Sequence, residues 1–247
     1  MKRPVLSLST LALVAALFVP VKGAAPVKVS DILDATQLAD EVKAKIVKLD
    51  QSMADKGAFE RALKFKTIAT DAGVIACLAQ AIAEHEKGPA TGMAAASLRD
   101  AALRLSRART MDNARTELAA VEAAVGGKKT DARLDHPWNK LINMHRMMEE
   151  MEYREGRIRR TLRRPRTLPR DSSHATVLTV LALAMESDTH EVKQESDLPD
   201  WKTWSREYRM QAAKLRIAMQ ANKADEARKL FAASTKVCAS CHEKFRD

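Results

Sequence analysis

The sequence is poor in the residues that build β-sheet proteins and disulfide-bonded domains. Aromatic residues make up 4% of its 247 residues, and it contains only 8 glycines and 8 prolines. With its many Ala, Leu, Lys, Arg and Glu residues, this composition favours helices over a β-sandwich or barrel. Three cysteines are too few for a disulfide scaffold, so the core must come from packing. Charged residues make up 30% of the chain, which excludes a membrane-embedded bundle.

Residues 1–23 have the pattern of a cleaved export signal. Lys2 and Arg3 precede an apolar run over 5–19, and small residues follow it. The run is too short to favour a membrane anchor, although an uncleaved anchor is the alternative. Cleavage near Gly23 removes three basic residues and no acidic one, so the net charge falls from +10 to +7. We expect a periplasmic or otherwise exported protein with no stable membrane span after processing.

Apolar residues recur every three or four positions along the rest of the chain, which predicts an all-α fold. The glycines and prolines divide this pattern into eight predicted helices. Four lie in the first half, at 36–53, 58–85, 90–109 and 112–125, and four in the second, at 135–153, 172–192, 200–220 and 224–245. Short connections predict two tandem four-helix bundles, 30–127 and 133–247, joined by a glycine-containing linker.

Cys238, Cys241 and His242 form a CxxCH motif near the end of the last predicted helix. Residues three apart share one face of a helix, so both thiols can add to the two vinyl groups of one haem. His242 is then positioned to bind the iron as its proximal ligand. The motif therefore predicts one covalently attached haem c.

The cysteine pair has two alternative uses, a zinc site and a redox disulfide. A zinc site needs two more ligands close by, and no residues with suitable spacing supply them. A thioredoxin-like redox disulfide needs a βαβ context, which the helical pattern lacks. Export also favours haem, because haem c is attached after translocation.

The tail from Val237 to Arg246 resembles the ending of the class II c-type cytochromes, the cytochrome c prime family. In that family the attachment motif lies in the last helix of a four-helix bundle, close to the C-terminus. The resemblance covers roughly residues 133–247 and implies that this segment is the haem-binding bundle. It also makes Arg246 a candidate contact to a haem propionate, the alternative being a frayed terminal charge.

The same resemblance implies that the first helix of the bundle supplies the residue on the distal side of the iron. The family has a basic residue followed four positions later by the distal residue. Lys140 and Met144 fit this pattern, with lysine where arginine is usual. Met144 is therefore the candidate distal ligand; the alternatives are core packing by Met144 around a five-coordinate iron, or ligation by His145.

The first bundle lacks the attachment motif. Val125, Lys128 and Lys129 occupy the equivalent positions, so we expect this bundle to be haem-free. Many members of the resembled family are homodimers of four-helix bundles. A homodimer is therefore one expectation, and the other is that the first bundle takes the place of a second subunit.

Eight arginines lie between Arg154 and Arg170. This density suggests a surface that docks an acidic redox partner; contact with anionic lipid, contact with the propionates and a solvated loop are the alternatives. Nucleic acid is not expected, because aromatic residues are not interleaved with the arginines and the chain carries an export signal.

Together these patterns predict an exported monohaem cytochrome that transfers electrons and is not an enzyme. The alternative function is a five-coordinate haem protein that binds nitric oxide or carbon monoxide. A third hypothesis gives the haem an incidental role in a scaffold whose first bundle is a binding module.

Overall fold

A computed structural model of the chain describes residues 24–132 and 136–246. The predicted leader, residues 133–135 and Asp247 lie outside these ranges. Within them the chain has nine α-helices and no β-strand, so the all-α prediction is confirmed.

The first helix set contains five helices. They are α1 (Ala35–Ser52), α2 (Lys56–Lys64), α3 (Thr67–Glu84), α4 (Ala95–Leu105) and α5 (Met111–Val125). The side chain of Asp34 caps α1 by accepting hydrogen bonds from the backbone N–H groups of Thr36 and Gln37. Helices α1, α3, α4 and α5 form a closed ring of neighbours, and α2 packs on α1 and α3.

Two boundaries in the first set differ from the predictions. The single helix predicted over 58–85 is two helices, because Lys66 adopts a left-handed conformation with φ of 57° between α2 and α3. The helix predicted to begin at residue 90 begins at Ala95. A short 3₁₀ turn, Gly88–Thr91, precedes it, and Gly92 at φ of 73° separates the two.

The second helix set contains four helices. They are α6 (Met144–Arg163), α7 (Leu168–Ser187), α8 (Leu198–Gln220) and α9 (Ala224–Phe245). Each helix contacts the next in sequence, and α9 contacts α6, so these four also form a closed ring. The predicted span of α9 is confirmed, and α8 begins within two residues of its predicted start.

The predicted limits of α6 were wrong at both ends. The helix begins after Asn143, whose side chain caps the backbone N–H of Arg146, and not at residue 135. It continues through Gly156, where the prediction ended it, because one glycine costs a helix only about 1 kcal/mol. Ile158 and Leu162 extend its buried face beyond that glycine.

The start of α7 also lies earlier than predicted. It begins at Leu168 rather than residue 172, with Pro169 in its first turn. Proline is tolerated there because the N–H groups of the first turn make no hydrogen bond within the helix. It ends at Ser187 rather than Val192. The arginine-rich segment therefore lies mainly on the second half of α6 and at the start of α7, and only its short middle part is a loop.

Buried ion pairs join the two helix sets. Lys45 of α1 is 1% exposed and donates hydrogen bonds to Asp71 of α3 and, at 2.7 Å, to Oε1 of Glu150 on α6. The same Glu150 oxygen accepts from Nε of Arg154 at 2.8 Å, and Nη1 of Arg154 reaches Glu41 of α1 at 3.1 Å. We call these five residues the junction cluster.

The charges of the junction cluster compensate for the burial of Glu150. Burial by itself would raise the pKa of the Glu150 carboxyl. The positive charges of Lys45 and Arg154, together with their hydrogen bonds, hold that pKa below its usual value. Glu150 is therefore a carboxylate at neutral pH, and its attraction to the two cations offsets part of the cost of burying all three charges.

Close packing and further hydrogen bonds lie at the same junction. A Cβ atom added to Gly73 of α3 would lie 2.8 Å from Cγ1 of Ile142, which shows how closely α3 meets the segment before α6. The indole of Trp138 donates to Glu84 at 3.0 Å. The Arg216 guanidinium of α8 also joins the two helix sets, because it donates to the carbonyl oxygen of Ile32, before α1, at 3.1 Å.

One described helix, α3, is long and apolar enough to cross a bilayer by length and composition. Of this 18-residue stretch, 72% is buried inside the protein. A core helix has the same apolar composition as a spanning helix, and α3 packs against α1, α4 and α7.

Removal of the central cation tests the junction cluster. Replacement of Lys45 by alanine leaves the Asp71 and Glu150 carboxylates without this partner, so we expect a loss of about 3–5 kcal/mol in the free energy of unfolding. Urea denaturation measures it. The control Lys43→Ala removes an exposed lysine of the same helix, 3.9 Å from Asp40, and should cost at most about 0.5 kcal/mol. Equal losses in both variants would contradict the assigned role of Lys45.

His174 makes stability depend on pH. Its Nδ1 lies 3.4 Å from Nη1 of Arg154, and burial, followed by the charges of Arg154 and Arg157, lowers its pKa from 6.5 to about 4. Between these pH values the unfolded chain binds a proton that the folded chain does not bind. Stability is therefore lost as pH falls from about 6.5 to about 4.

Replacement of His174 by glutamine should reduce this loss, as measured by urea denaturation across that pH range. His190 is the matched control, because its hydrogen bond to Asp188 raises its pKa and gives the opposite sign. His190→Gln should leave the loss between pH 6.5 and 4 nearly unchanged, because the stability that His190 contributes is gained at higher pH, as its raised pKa is crossed. An unchanged slope in the His174 variant would show that another group causes the acid sensitivity.

Candidate functional site

The CxxCH motif occupies the last two turns of α9. Cys238 and Cys241 are half-buried, are free thiols, and pack against the apolar core. His242 is one position further round the helix and is exposed. The motif thus presents both sulfur atoms inward from one helix face, as the three-residue spacing predicts.

Cys238 lies where α6, α8 and α9 meet. Its Sγ donates a hydrogen bond to Oε1 of Glu155 on α6, at 3.6 Å. The same oxygen accepts a hydrogen bond from the Tyr208 hydroxyl on α8, at 2.9 Å. Tyr208 is 1% exposed, so this contact is well shielded from solvent.

Both thiols are held in their protonated form. Burial raises the pKa of the Cys238 thiol far above its usual value, and the charge of Glu155 adds to the effect. Burial alone raises the pKa of Cys241 to about 11. Catalytic CxxC pairs need a lowered pKa, so this environment disfavours a redox disulfide.

Among residues 24–132 and 136–246, no group of three or more His, Cys, Asp or Glu side chains is arranged to hold a metal ion. The candidate site therefore consists of the two thiols, the adjacent imidazole and the groups around them.

The contacts between α8 and α9 show which residues of the two helices lie at the same height along the helix axes. Trp201 packs edge-on against Phe245 with ring centroids 5.1 Å apart. Tyr208 and Cys238 both donate hydrogen bonds to Oε1 of Glu155, so they also lie close together. Seven residues separate the two contacts on each helix, so the helices are antiparallel and Ser205 of α8 is level with Cys241.

Ser205 provides a test of whether this region suits a haem. Its hydroxyl is buried, and no hydrogen-bond partner for it exists in the described part of the chain. A buried polar atom without a partner is costly, and a bound group can supply one. Two free thiols, a neighbouring imidazole and this hydroxyl therefore fit an attached haem with polar substituents.

The contacts between α6 and α9 locate the predicted distal residue. Nε of Arg228 donates to the carbonyl oxygen of Leu162 at 3.1 Å, and Glu155 contacts Cys238, so these helices are also antiparallel. Met151 lies one turn before Glu155 on α6, as His242 lies one turn after Cys238 on α9. Met151 is therefore level with His242.

Met144 is buried, but it lies further from Glu155 along α6 than Met151 does. It is the first residue of α6, eleven positions before Glu155 and so about 16 Å along the helix from it. Helix α9 ends at Phe245, about 10 Å beyond Cys238. Lys140, the basic residue of the predicted pattern, lies in a 3₁₀ turn outside α6. Distal ligation by Met144 stays a prediction.

Arg246 is exposed and follows the last residue of α9. Its backbone N–H donates to the carbonyl oxygen of His242 at 3.2 Å. The predicted contact of its side chain to a propionate stays a prediction.

The arginine-rich segment divides into a buried and an exposed part. Arg154 belongs to the junction cluster and is 3% exposed, so it is not available to a partner. The other seven are exposed: Arg157, Arg159, Arg160, Arg163, Arg164, Arg166 and Arg170. We call these seven residues the arginine surface.

Three residues of the site were not identified from the sequence as parts of it. Glu155 lies inside the arginine-rich segment, where it was overlooked beside eight positive charges. Tyr208 and Ser205 belong to no motif. The sequence could have placed these residues near α9 only if the positions of α6 and α8 relative to α9 along the helix axes had been known.

Comparison of the chain with protein-family models, with curated proteins and with solved structures finds no match. The site is therefore interpreted from its motif, its side-chain contacts and the burial of its residues.

The protonation of the thiols can be measured by alkylation of the chain produced without haem attachment. At pH 7 we expect Cys238 and Cys241 to react with iodoacetamide at least about tenfold more slowly than an unfolded cysteine, because little thiolate is present. Quantitative mass spectrometry of each cysteine gives the rates. Buried Cys77 is the internal control and should be slower still. Faster reaction than in the unfolded chain would favour the redox-disulfide interpretation.

Proposed function

We propose that this chain is an exported monohaem c-type cytochrome that carries single electrons between partner proteins. Cys238 and Cys241 would anchor one haem c through thioether bonds, and His242 would be the proximal iron ligand. The observation that carries the proposal is the CxxCH motif on α9, with both half-buried thiols packed against the core.

Attachment requires only the addition of each thiol to a vinyl group. Cys238 and Cys241 would each form a bond from sulfur to one vinyl carbon, and the hydrogen of each S–H would go to the other carbon. When bound, the haem supplies an iron that gains or loses one electron. His242 would be the proximal ligand of that iron. Since the chain passes on an electron and transforms no substrate, we propose that it is not an enzyme.

We propose further that the two helix sets are tandem four-helix bundles, the second similar to cytochrome c prime. The closed ring of neighbours within each set supports this assignment, with α2 as an addition to the first bundle. The first bundle would be haem-free and would take the place of a second subunit. The buried junction cluster supports that role, because it seals the faces through which two bundles meet; a stable homodimer in solution would count against it.

The proposed partner is an acidic redox protein that docks on the arginine surface. Seven exposed guanidinium groups on one segment create a positive potential that attracts an acidic surface. We propose no nucleic acid partner. The proposed location is the periplasm or another exported compartment, reached through the predicted leader.

The second candidate function is binding of nitric oxide or carbon monoxide at a five-coordinate iron. The placement of Met144 favours it, since this residue lies at the very start of α6 and not at the level of His242. Met151 at that level would restore six-coordination if its thioether binds the iron.

Covalent attachment is tested in protein exported from a host that attaches haem c. The intact mass should exceed that of the mature chain by one haem, and Cys238→Ala with Cys241→Ala should abolish the increase. Cys77→Ala is the matched control and should keep the haem, because Cys77 is buried in α3, in the first helix set. An exported double variant that retains a covalent haem would refute the assignment of these anchors.

The absorption spectrum of the ferric protein separates the two functions. An electron carrier with methionine ligation should show the long-wavelength band of a methionine–iron bond. Met144→Ala and Met151→Ala compare the two candidates, and only the variant that lacks the ligand should lose the band. A high-spin five-coordinate spectrum of the unmodified protein would instead support gas binding.

A further inference from the structure

We propose that Glu155 tunes the haem site: its carboxylate, held beside Cys238 by Tyr208, stabilises the ferric iron and lowers the reduction potential. This inference rests on the proposed haem attachment. It concerns a residue of α6 that lies outside the CxxCH motif.

One oxygen of Glu155 accepts hydrogen bonds from two of the three helices at the site. Oε1 accepts from the Tyr208 hydroxyl at 2.9 Å and from the Cys238 thiol at 3.6 Å. Tyr208 is 1% exposed and belongs to a different helix from either of the other two residues. The carboxylate is therefore held from two sides at the first anchor of the haem.

Glu155 lacks the positive partner that Glu149 and Glu150 of the same helix have. Glu150 is paired with Lys45 and Arg154, whereas no lysine, arginine or histidine nitrogen in residues 24–132 or 136–246 lies within 4.0 Å of the Glu155 carboxylate. The adjacent Arg154 is directed away, to Glu150 and Glu41. The negative charge of Glu155 is therefore balanced only by hydrogen-bond donors.

Attachment removes one of those donors. When Cys238 adds to a vinyl group, its S–H hydrogen goes to carbon and the sulfur becomes a thioether without a hydrogen to donate. Glu155 then keeps the Tyr208 hydroxyl alone. Its charge is less compensated and lies beside an atom bonded directly to the haem.

The direction of the effect follows from Coulomb's law. Ferric iron carries one more positive charge than ferrous iron, so a nearby carboxylate stabilises the ferric form more. Glu155 is half-buried and its partner Tyr208 is buried, so this interaction is screened less than one between exposed charges. Reduction potentials of haem proteins respond to such surrounding charge, hydrogen bonds and burial. Glu155 should therefore lower the midpoint potential.

The test is a spectroelectrochemical titration of haem-loaded protein at neutral pH, after intact mass has verified one haem per chain. Glu155→Gln keeps the size of the side chain and removes the charge, so the midpoint potential should shift upward. Glu152→Gln is the matched control, because Glu152 is exposed on the same helix, and it should leave the potential unchanged. Tyr208→Phe removes the remaining donor and should shift the potential downward.

The opposite shifts distinguish tuning from a structural role, because loss of packing would not change sign between the variants. An unchanged potential in Glu155→Gln, or an equal shift in Glu152→Gln, would overturn the inference. If Glu155→Gln does not accumulate as folded protein, the Tyr208→Phe variant alone decides the question. The inference is then overturned if the midpoint potential of that variant does not shift downward. A wild-type chain that carries no haem would refute the proposed function as well, whereas a loaded chain without these shifts refutes only the role of Glu155.

Discussion

The structure depends on the buried salt-bridge cluster at the junction of the two helix sets. A charge taken out of water is costly unless it keeps its partners, so Lys45, Glu150 and Arg154 tolerate only small displacements from one another. This constraint fixes α6 against α1. Arg154 and Glu155 are neighbours in sequence, about 100° apart on the helix. One faces the first helix set and the other faces α9, so the cluster that orients α6 also brings Glu155 to Cys238.

The limits of α6 show why part of the fold could be predicted from the sequence and part could not. Apolar periodicity identified the helices and the full span of α9, because the core-facing residues of those helices are apolar. In α6 the inward face includes Glu150 and Arg154, which look like solvent-facing residues until their partners are known. Gly156 was therefore interpreted as a helix end, and the arginines as a loop. The buried ion pairs that join the two helix sets link residues 105 and 113 positions apart, and no local pattern contains them.

The same distinction applies to the candidate site. Cys238, Cys241 and His242 were found because their relation is local, within one and a half turns of a helix. Glu155 and Tyr208 meet Cys238 only through the packing of three helices, so their role follows from contacts across the fold. The choice of Met144 relied on Lys140 lying in the same helix. Lys140 lies in a 3₁₀ turn instead, and the antiparallel level of α6 and α9 brings Met151 opposite His242.

An electron carrier benefits from a site that changes little between its two oxidation states, because structural rearrangement slows transfer. Here α6 has the junction cluster on one face, Glu155 on another, and much of the arginine surface along its second half. A partner that docks on those arginines would contact the helix that holds Glu155 in place. Displacement of α6 would separate Glu150 from Lys45 and remove one partner from each of these buried charges, which costs free energy. In the function we propose, the first helix set would therefore contribute to electron transfer without a cofactor of its own, by holding α6 still while a partner is bound.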